Sequence, residues 1–241
     1  MTATYDVRVA NLSVRNRQPA QDLDRLVDGW PHLVALCEVA GGWPAVVHDV
    51  AGYRYVGRRD GTHGSREVAL LVRGDVEVVD SGVVQLSEAV PRSLVAHDRW
   101  GAWARVVLPG GRRALAYSTH RNAWVQRRDG TVRPVWRGTR EYRAHVRAEL
   151  ALLDRHTTEG WPVLGGGDFN YRVPCGKVRF VDDAWPYAPH RTFPQLGLHY
   201  VAHGLDGVCH DPVFEAVGGL DVIGRATTGS DHDWITLTVR A

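Results

Sequence analysis

Residues 165–172 read GGGDFNYR, directly after WPVL at 161–164. A short apolar run that ends in three glycines and then presents Asp168 and Asn170 two positions apart reads in two ways. Gly, Asp and Asn are ordinary turn formers. The same residues at the end of a buried strand also make the floor of a polar site, and the glycines then leave room for a substrate to approach the backbone. The rest of the chain has to choose.

Other strands end the same way. Asn11 follows VRVA, Glu38 follows LVALC, His120 follows ALAYST, and Asp231 with His232 follows GRATTGS. Function concentrates where a rigid sheet holds loop and strand-end residues in place. Any one of these residues alone is a turn former or a solvated side chain. Together they carry a chemistry. Glu38 and Asp231 are hard oxygen ligands of the kind Mg²⁺ or Mn²⁺ takes. Asn11 adds a neutral oxygen or orients a carboxylate. His232 titrates near neutrality. Asp168 can hold a water and accept its proton, while Asn170 and His120 can donate to a phosphoryl oxygen. A metal, a positioned nucleophile and donors for a charged oxygen are the parts that phosphate-ester hydrolysis requires.

Between these points the chain alternates strands and helical segments. Strand patterns are YDVRVANLSV, HLVALCEV, YRYVG, REVALLVR and VEVVDSGVVQL, then a hairpin WARVVLPGGRRALAYSTH turning at Pro-Gly-Gly. Helical spacing appears at DLDRLVDGW and, most clearly, at TREYRAHVRAELALLDRH, which Thr139 is placed to cap. LDGVCHD, FEAVGGLDVIG and SDHDWITLTV close the chain as β segments. No repeat, low-complexity tract or linker divides it, so one domain over 1–241 is expected, built from two packed sheets with helices outside.

Composition excludes several classes. The 241 residues carry a formal charge of +2, too little to announce a nucleic-acid partner from bulk charge. Three cysteines, Cys37, Cys175 and Cys209, make no disulfide framework. No leader pattern and no apolar run of membrane-spanning length is seen, so a cytoplasmic, monomeric protein is expected. Cys175, His199, His203, Cys209 and His210 offer a zinc reading through His-x3-His in HYVAH, without a Cys-x2-Cys to support it.

The motifs VANLS, LCEV, REVALLVR, YSTHRN, GGGDFNYR, GLDGV and GSDHDWI, in that order from residue 9 to 235, resemble the endonuclease/exonuclease/phosphatase superfamily. The resemblance implies a four-layer α/β/β/α sandwich with the site at one edge of two mixed sheets. It implies Mg²⁺ near Glu38 with Asn11 and Asp231 contributing, and His232 paired with Asp206. It further implies that Asp168 orients the attacking water, Asn170 binds phosphate and His120 meets the scissile phosphate or leaving group. In-line displacement without a covalent intermediate follows. Two positions depart from the family pattern: Ala10 replaces a large residue before Asn11, and Asp233-Trp234 stands where a proline is usual. Strand alternation leaves Asp233 pointing either inward, toward a second cation, or outward to no purpose, and outward is preferred here.

Substrate class rests on local features. The segment 121–143 holds Arg121, Arg127, Arg128, Arg133, Arg137, Arg140 and Arg143 with Trp124 and Trp136. Guanidinium forks and indoles suit phosphates and bases. Tyr171 and Arg172 extend GDFN toward the form found in inositol polyphosphate 5-phosphatases, whereas AHGLDGVCHD is nearer the nuclease form. A nucleic-acid phosphodiesterase is therefore expected, with a phosphomonoesterase on a small phosphate ester or lipid headgroup, or a lapsed nucleic-acid-binding module, as alternatives.

Overall fold

The computed structural model describes residues 2–60, 66–89, 97–123, 125–127, 131–133, 137–172 and 185–241. Among these, one sheet contains β1 (Thr4–Asn11), β2 (Leu33–Cys37), β3 (Tyr53–Gly57), β4 (Val68–Arg73), β11 (Glu215–Ala216), β12 (Asp221–Ile223) and β13 (Trp234–Arg240). Its order is β11-β13-β1-β2-β4-β3, with β12 also on β13. The other contains β5 (Glu77–Ser87), β6 (Arg99–Leu108), β7 (Arg112–His120), β8 (Leu164–Asp168), β9 (His199–His203) and β10 (Asp206–His210), in the order β5-β6-β7-β8-β10-β9.

Alternation along the strands explains the layers. Tyr5, Val7 and Val9 of β1 meet Ala104, Val106, Ala116, Leu164 and Val208 of the second sheet in the central core. The opposite face of the first sheet, with Val34, Leu36, Ala69 and Leu71, packs on α1 (Pro19–Val27) and α2 (Pro44–Val47) through Leu26, Trp43 and Val47. The outer face of the second sheet, with Leu115, Tyr117 and Val163, takes Leu153 of α3 (Arg137–Thr158). The expected four layers are present. Arg8 faces outward from β1 but is buried, because its guanidinium donates to the carbonyls of Arg25 and Leu26 at the end of α1 (2.9 and 2.8 Å).

Register gathers the site. β1 and β2 run parallel with Asn11 opposite Cys37, so Glu38 leaves the sheet beside Asn11. β7 and β8 run parallel with His120 opposite Asp168, and antiparallel β10 places Asp206 on the other side of Asp168. β13 begins at the same edge, directly after Asp231, His232 and Asp233.

Three local expectations change. Gly165, Gly166 and Gly167 do not make room for substrate. They lie buried inside β8, where an added Cβ would run into the backbone of Tyr117, Gly207 and Thr119 respectively. Close strand packing, not phosphate approach, requires them. The long helix starts before Thr139, whose hydroxyl donates to the carbonyl of Arg133 (2.5 Å) instead of capping. HYVAH is strand β9, so His199 and His203 sit at its two ends, about 13 Å apart at 3.3 Å per residue. His203 binds Asp233, His199 packs against the ring of His210, and Cys209 contacts the Tyr117 hydroxyl. Among the described residues the zinc set does not assemble, and Cys175 lies outside them.

Candidate active site

The strand ends surround a cavity of about 270 Å³ walled by Glu38, Glu67, Arg99, His120, Asp168, Asn170 and His232, with Val14, His97 and Ala123 at its margin. Asp168 is its centre. One carboxylate oxygen accepts the backbone N–H of Asn170 (2.8 Å), which fixes the side chain. The other accepts Asn11 Nδ2 (3.0 Å) and faces His120 Nε2 at 3.5 Å and His232 Nε2 at 3.8 Å. Ser13, Glu38 and Asn170 all adopt left-handed φ angles, +54°, +57° and +50°. Such backbone is uncommon outside glycine and concentrates at working sites.

The two imidazoles are held by different carboxylates, Asp206 at the start of β10 and Glu67 just before β4. His232 Nδ1 donates to Asp206 (2.7 Å). Burial alone would lower the His232 pKa; the hydrogen bond to Asp206 and the charges of Asp168, Asp206 and Asp231 overrule it and hold it up at about 10. Burial and then the charge of Asp168 push Asp206 up to about 7. Between those values the pair is carboxylate and imidazolium. Burial and the charge of Arg99 oppose protonation of His120, but Glu67 and Asp168 prevail and its pKa is raised. His120 Nδ1 lies 3.2 Å from Glu67 and equally far from Arg99 Nη1, which itself binds Glu67 at 2.6 Å. The shared carboxylate reconciles two neighbouring donors.

The His232 shift has a measurable consequence. An imidazole whose folded pKa lies above its ordinary 6.5 contributes stability in full below that value and loses it as pH rises toward about 10. In chelator, the unfolding free energy from urea titrations should fall between pH 7 and 10, with a slope to which His232 contributes at most about 1.4 kcal/mol per pH unit. Asp206→Asn should flatten that slope, and an unchanged slope would remove the ion pair from the account.

The expected ligand trio divides. Glu38 faces the cavity, with one oxygen accepting the N–H of Val14 (3.1 Å). Asn11 is fully buried and turns its amide oxygen to the N–H of Ser13, presenting Nδ2 to Asp168 and Glu38. In this arrangement it orients two carboxylates, and its amide oxygen keeps one lone pair beyond the Ser13 contact. Asp231 is exposed, beside His232 and outside the cavity wall. Asp168, Asp206 and His232 also cluster tightly enough to suggest a metal. His232 pairs with Asp206 within this cluster, and the three side chains together are a candidate metal site. The site fits a hard divalent cation. Carboxylates crowd one cavity, and Asp206 Oδ1 is buried with no hydrogen-bond partner among the described residues.

The expected substrate contacts divide as well. Arg121 is fully buried and bonded to Glu149 (2.8 Å), so it cannot meet substrate. Tyr171 is buried and stacked on Trp185, a core contact. Arg127 and Arg172 are exposed, and their segments are tied by a reciprocal pair: Gln126 donates to the carbonyl of Arg172 and accepts its N–H (3.2 and 2.8 Å). Arg128, Trp124 and Trp136 lie outside the described residues.

Sequence reasoning missed Glu67 and Arg99. The signal for Glu67 was present: a carboxylate immediately before the apolar β4, which pairs with the end of β2. Asp233 is outside the cavity lining, in line with the preferred outward orientation, but it is not idle. It accepts the N–H of Arg225 (2.7 Å) and binds His203 (2.9 Å), while His232 reaches back to Asp206. The β9–β10 turn and the 231–233 loop thus exchange two His–Asp contacts, a brace across the edge of the site.

The chain is a two-sheet sandwich with carboxylates and imidazoles converging at one strand edge. No family model and no curated protein matches the chain. Solved structures do, over its whole length. An endonuclease/exonuclease/phosphatase family protein from Bacteroides thetaiotaomicron is 16% identical with a TM-score of 0.64, covering 100% of this chain and 98% of that one. D. rerio TDP2 complexed with single strand DNA product is 13% identical, TM-score 0.64, covering 99% and 100%. A mannosyl-6-phosphatase, also from B. thetaiotaomicron, is 17% identical, TM-score 0.64, covering 98% and 99%. The chain has the endonuclease/exonuclease/phosphatase fold.

Proposed function

We propose that this chain is a divalent-metal-dependent phosphoester hydrolase whose substrates are nucleic-acid phosphodiesters. The carrying observation is Asp168 Oδ2, which accepts Asn11 Nδ2 and lies at the cavity between two carboxylate-held imidazoles. A water bonded to that oxygen is oriented and gives up its proton to it. His232, raised by Asp206, acts as a cation toward the phosphoryl oxygen, not as a base. Asn170 gives its N–H to Asp168 and one amide hydrogen to the Arg121 carbonyl, leaving the second amide hydrogen for phosphate, and His120 with Arg99 stands where a leaving oxygen needs a donor. Glu38 would hold Mg²⁺ or Mn²⁺ from the cavity wall, with the exposed Asp231 reaching it from beside His232, and the ion would supply Lewis-acid polarisation of the phosphate.

Two observations support a polyanionic substrate. Exposed cations stand on the segments next in sequence to site residues: Arg15 and Arg17 follow β1, and Arg172 follows Asn170, its segment tied to that of Arg127 through Gln126. Similar structures include one complexed with a DNA product, although a mannosyl-6-phosphatase is equally similar, so the fold leaves the choice to the site. Burial of Tyr171 removes half of the motif that favoured a small phosphomonoester. A panel tests the substrate class: single-stranded oligonucleotide, plasmid, bis(p-nitrophenyl) phosphate, p-nitrophenyl phosphate and sugar and inositol phosphates, each with Mg²⁺ and with chelator. Metal-dependent cleavage of the diesters, at least about tenfold above the monoesters, is expected. The reverse preference overturns the nucleic-acid assignment, and binding without any turnover overturns the hydrolase.

A further inference from the structure

We propose that the buried Arg121–Glu149 ion pair is a positioning element for the 168–170 turn. This deepens the hydrolase reading and rests on it for its kinetic part alone. Arg121 follows His120 directly, and its backbone N–H donates to the carbonyl of Asp168 (2.9 Å). Its own carbonyl accepts Asn170 Nδ2 (2.8 Å). Its side chain enters the protein, where Nε binds Glu149 of α3 and Nη1 donates to the Tyr142 hydroxyl (3.2 Å). The guanidinium lies over the rings of Phe169 (4.8 Å), Phe193 (5.3 Å) and Tyr142 (5.5 Å). Tyr142 in turn donates to the carbonyl of Phe169 (2.9 Å). One arginine therefore grips the residue between Asp168 and Asn170 from below and Asn170 from the side.

Stability is a poor explanation for this arrangement. A buried ion pair is often replaceable by apolar residues without loss. Here Arg121 Nη2, Glu149 Oε1 and His145 Nδ1 are also buried without hydrogen-bond partners among the described residues, which adds cost. What the pair supplies is direction. Asn170 sits at φ +50°, and such backbone persists only where its surroundings over-determine it. The planar fork both binds a carboxylate and stacks on rings, which lysine does not reproduce. A second contact works from the same helix: His145 Nε2 meets Thr119 Oγ1 (2.9 Å), just before His120. Burial and the charge of Arg121 keep that imidazole neutral, with its pKa lowered well below the ordinary value.

The test is the double variant Arg121→Met/Glu149→Leu, which removes both charges and leaves neither unpaired. It should melt within about 5 °C of wild type. With bis(p-nitrophenyl) phosphate and Mg²⁺, kcat should fall about 100-fold while KM stays within about twofold. Amide exchange at 168–170 should quicken at least about tenfold. Exchange decides the matter: wild-type protection of these amides overturns the proposal whatever kcat does. It also needs no turnover, so a chain inactive on every phosphoester would overturn the hydrolase reading and leave this one standing or falling by itself. If the double variant does not fold, Tyr142→Phe removes the single hydroxyl beneath Phe169. Faster exchange at Asn170 is then expected, and unchanged exchange overturns the proposal.

Discussion

Asp168→Asn should reduce metal-dependent hydrolysis by at least about 1,000-fold while leaving the fold intact. The expected loss joins two effects. The carboxylate that would take the proton of the attacking water is gone, a role worth about 100- to 10,000-fold. The negative charge that both imidazoles face at 3.5 and 3.8 Å is gone as well. Stability should change little, for opposing reasons. The amide still accepts the N–H of Asn170, but its NH₂ opposes Asn11 Nδ2. Against that, the repulsion that helps push Asp206 up to about 7 disappears. Thermal melting and kcat on a phosphodiester, measured on one preparation, check both halves. A variant that is inactive because it is unfolded would not satisfy the prediction.

Gly166→Val should have the largest effect on stability, a loss of at least about 3 kcal/mol, with aggregation on expression. Gly166 is enclosed on both sides. A Cβ there meets the Gly207 carbonyl of β10 and, at 2.9 Å, Val9 Cγ2 of the opposite sheet. Neither is the flexible end of a long side chain, so relief requires β8 to leave the sheet or the sheets to part. β8 carries Asp168, and activity should vanish with the fold. A urea midpoint close to wild type would show that the strands are packed more loosely than described.

Much of this was legible in the sequence, and the boundary is physical. Asn11, Glu38, His120, Asp168 and His232 could be singled out because each stands at the end of an apolar strand or beside one, and Asp206 through the family resemblance; the pairing of β1 with β2, β7 with β8 and β8 with β10 then brings these positions to one edge. What could not be read was direction off a strand. Arg121 has the composition of a substrate-binding loop, yet a buried carboxylate, Glu149, 28 residues later turns it inward, with Tyr142 beside it. Tyr171 turns inward for Trp185 in the same way. The glycines of GGGDFNYR carry one signal for two causes, open space and crowding, and only neighbouring strands distinguish them. Asp233 departed from the family pattern and found its use in His203, a residue in register with Asp206 that the spacing of HYVAH had pointed elsewhere.

The measurement that bears most directly on the central claim is a time course on a labelled single-stranded oligonucleotide. Three arms are needed: wild type with Mg²⁺, wild type with chelator, and Asp168→Asn with Mg²⁺ after its melting curve has shown it folded. Cleavage in the first arm alone is predicted. Equal cleavage in all three arms would place the chemistry outside this site, and no cleavage in any arm would contradict the assignment of a nucleic-acid hydrolase.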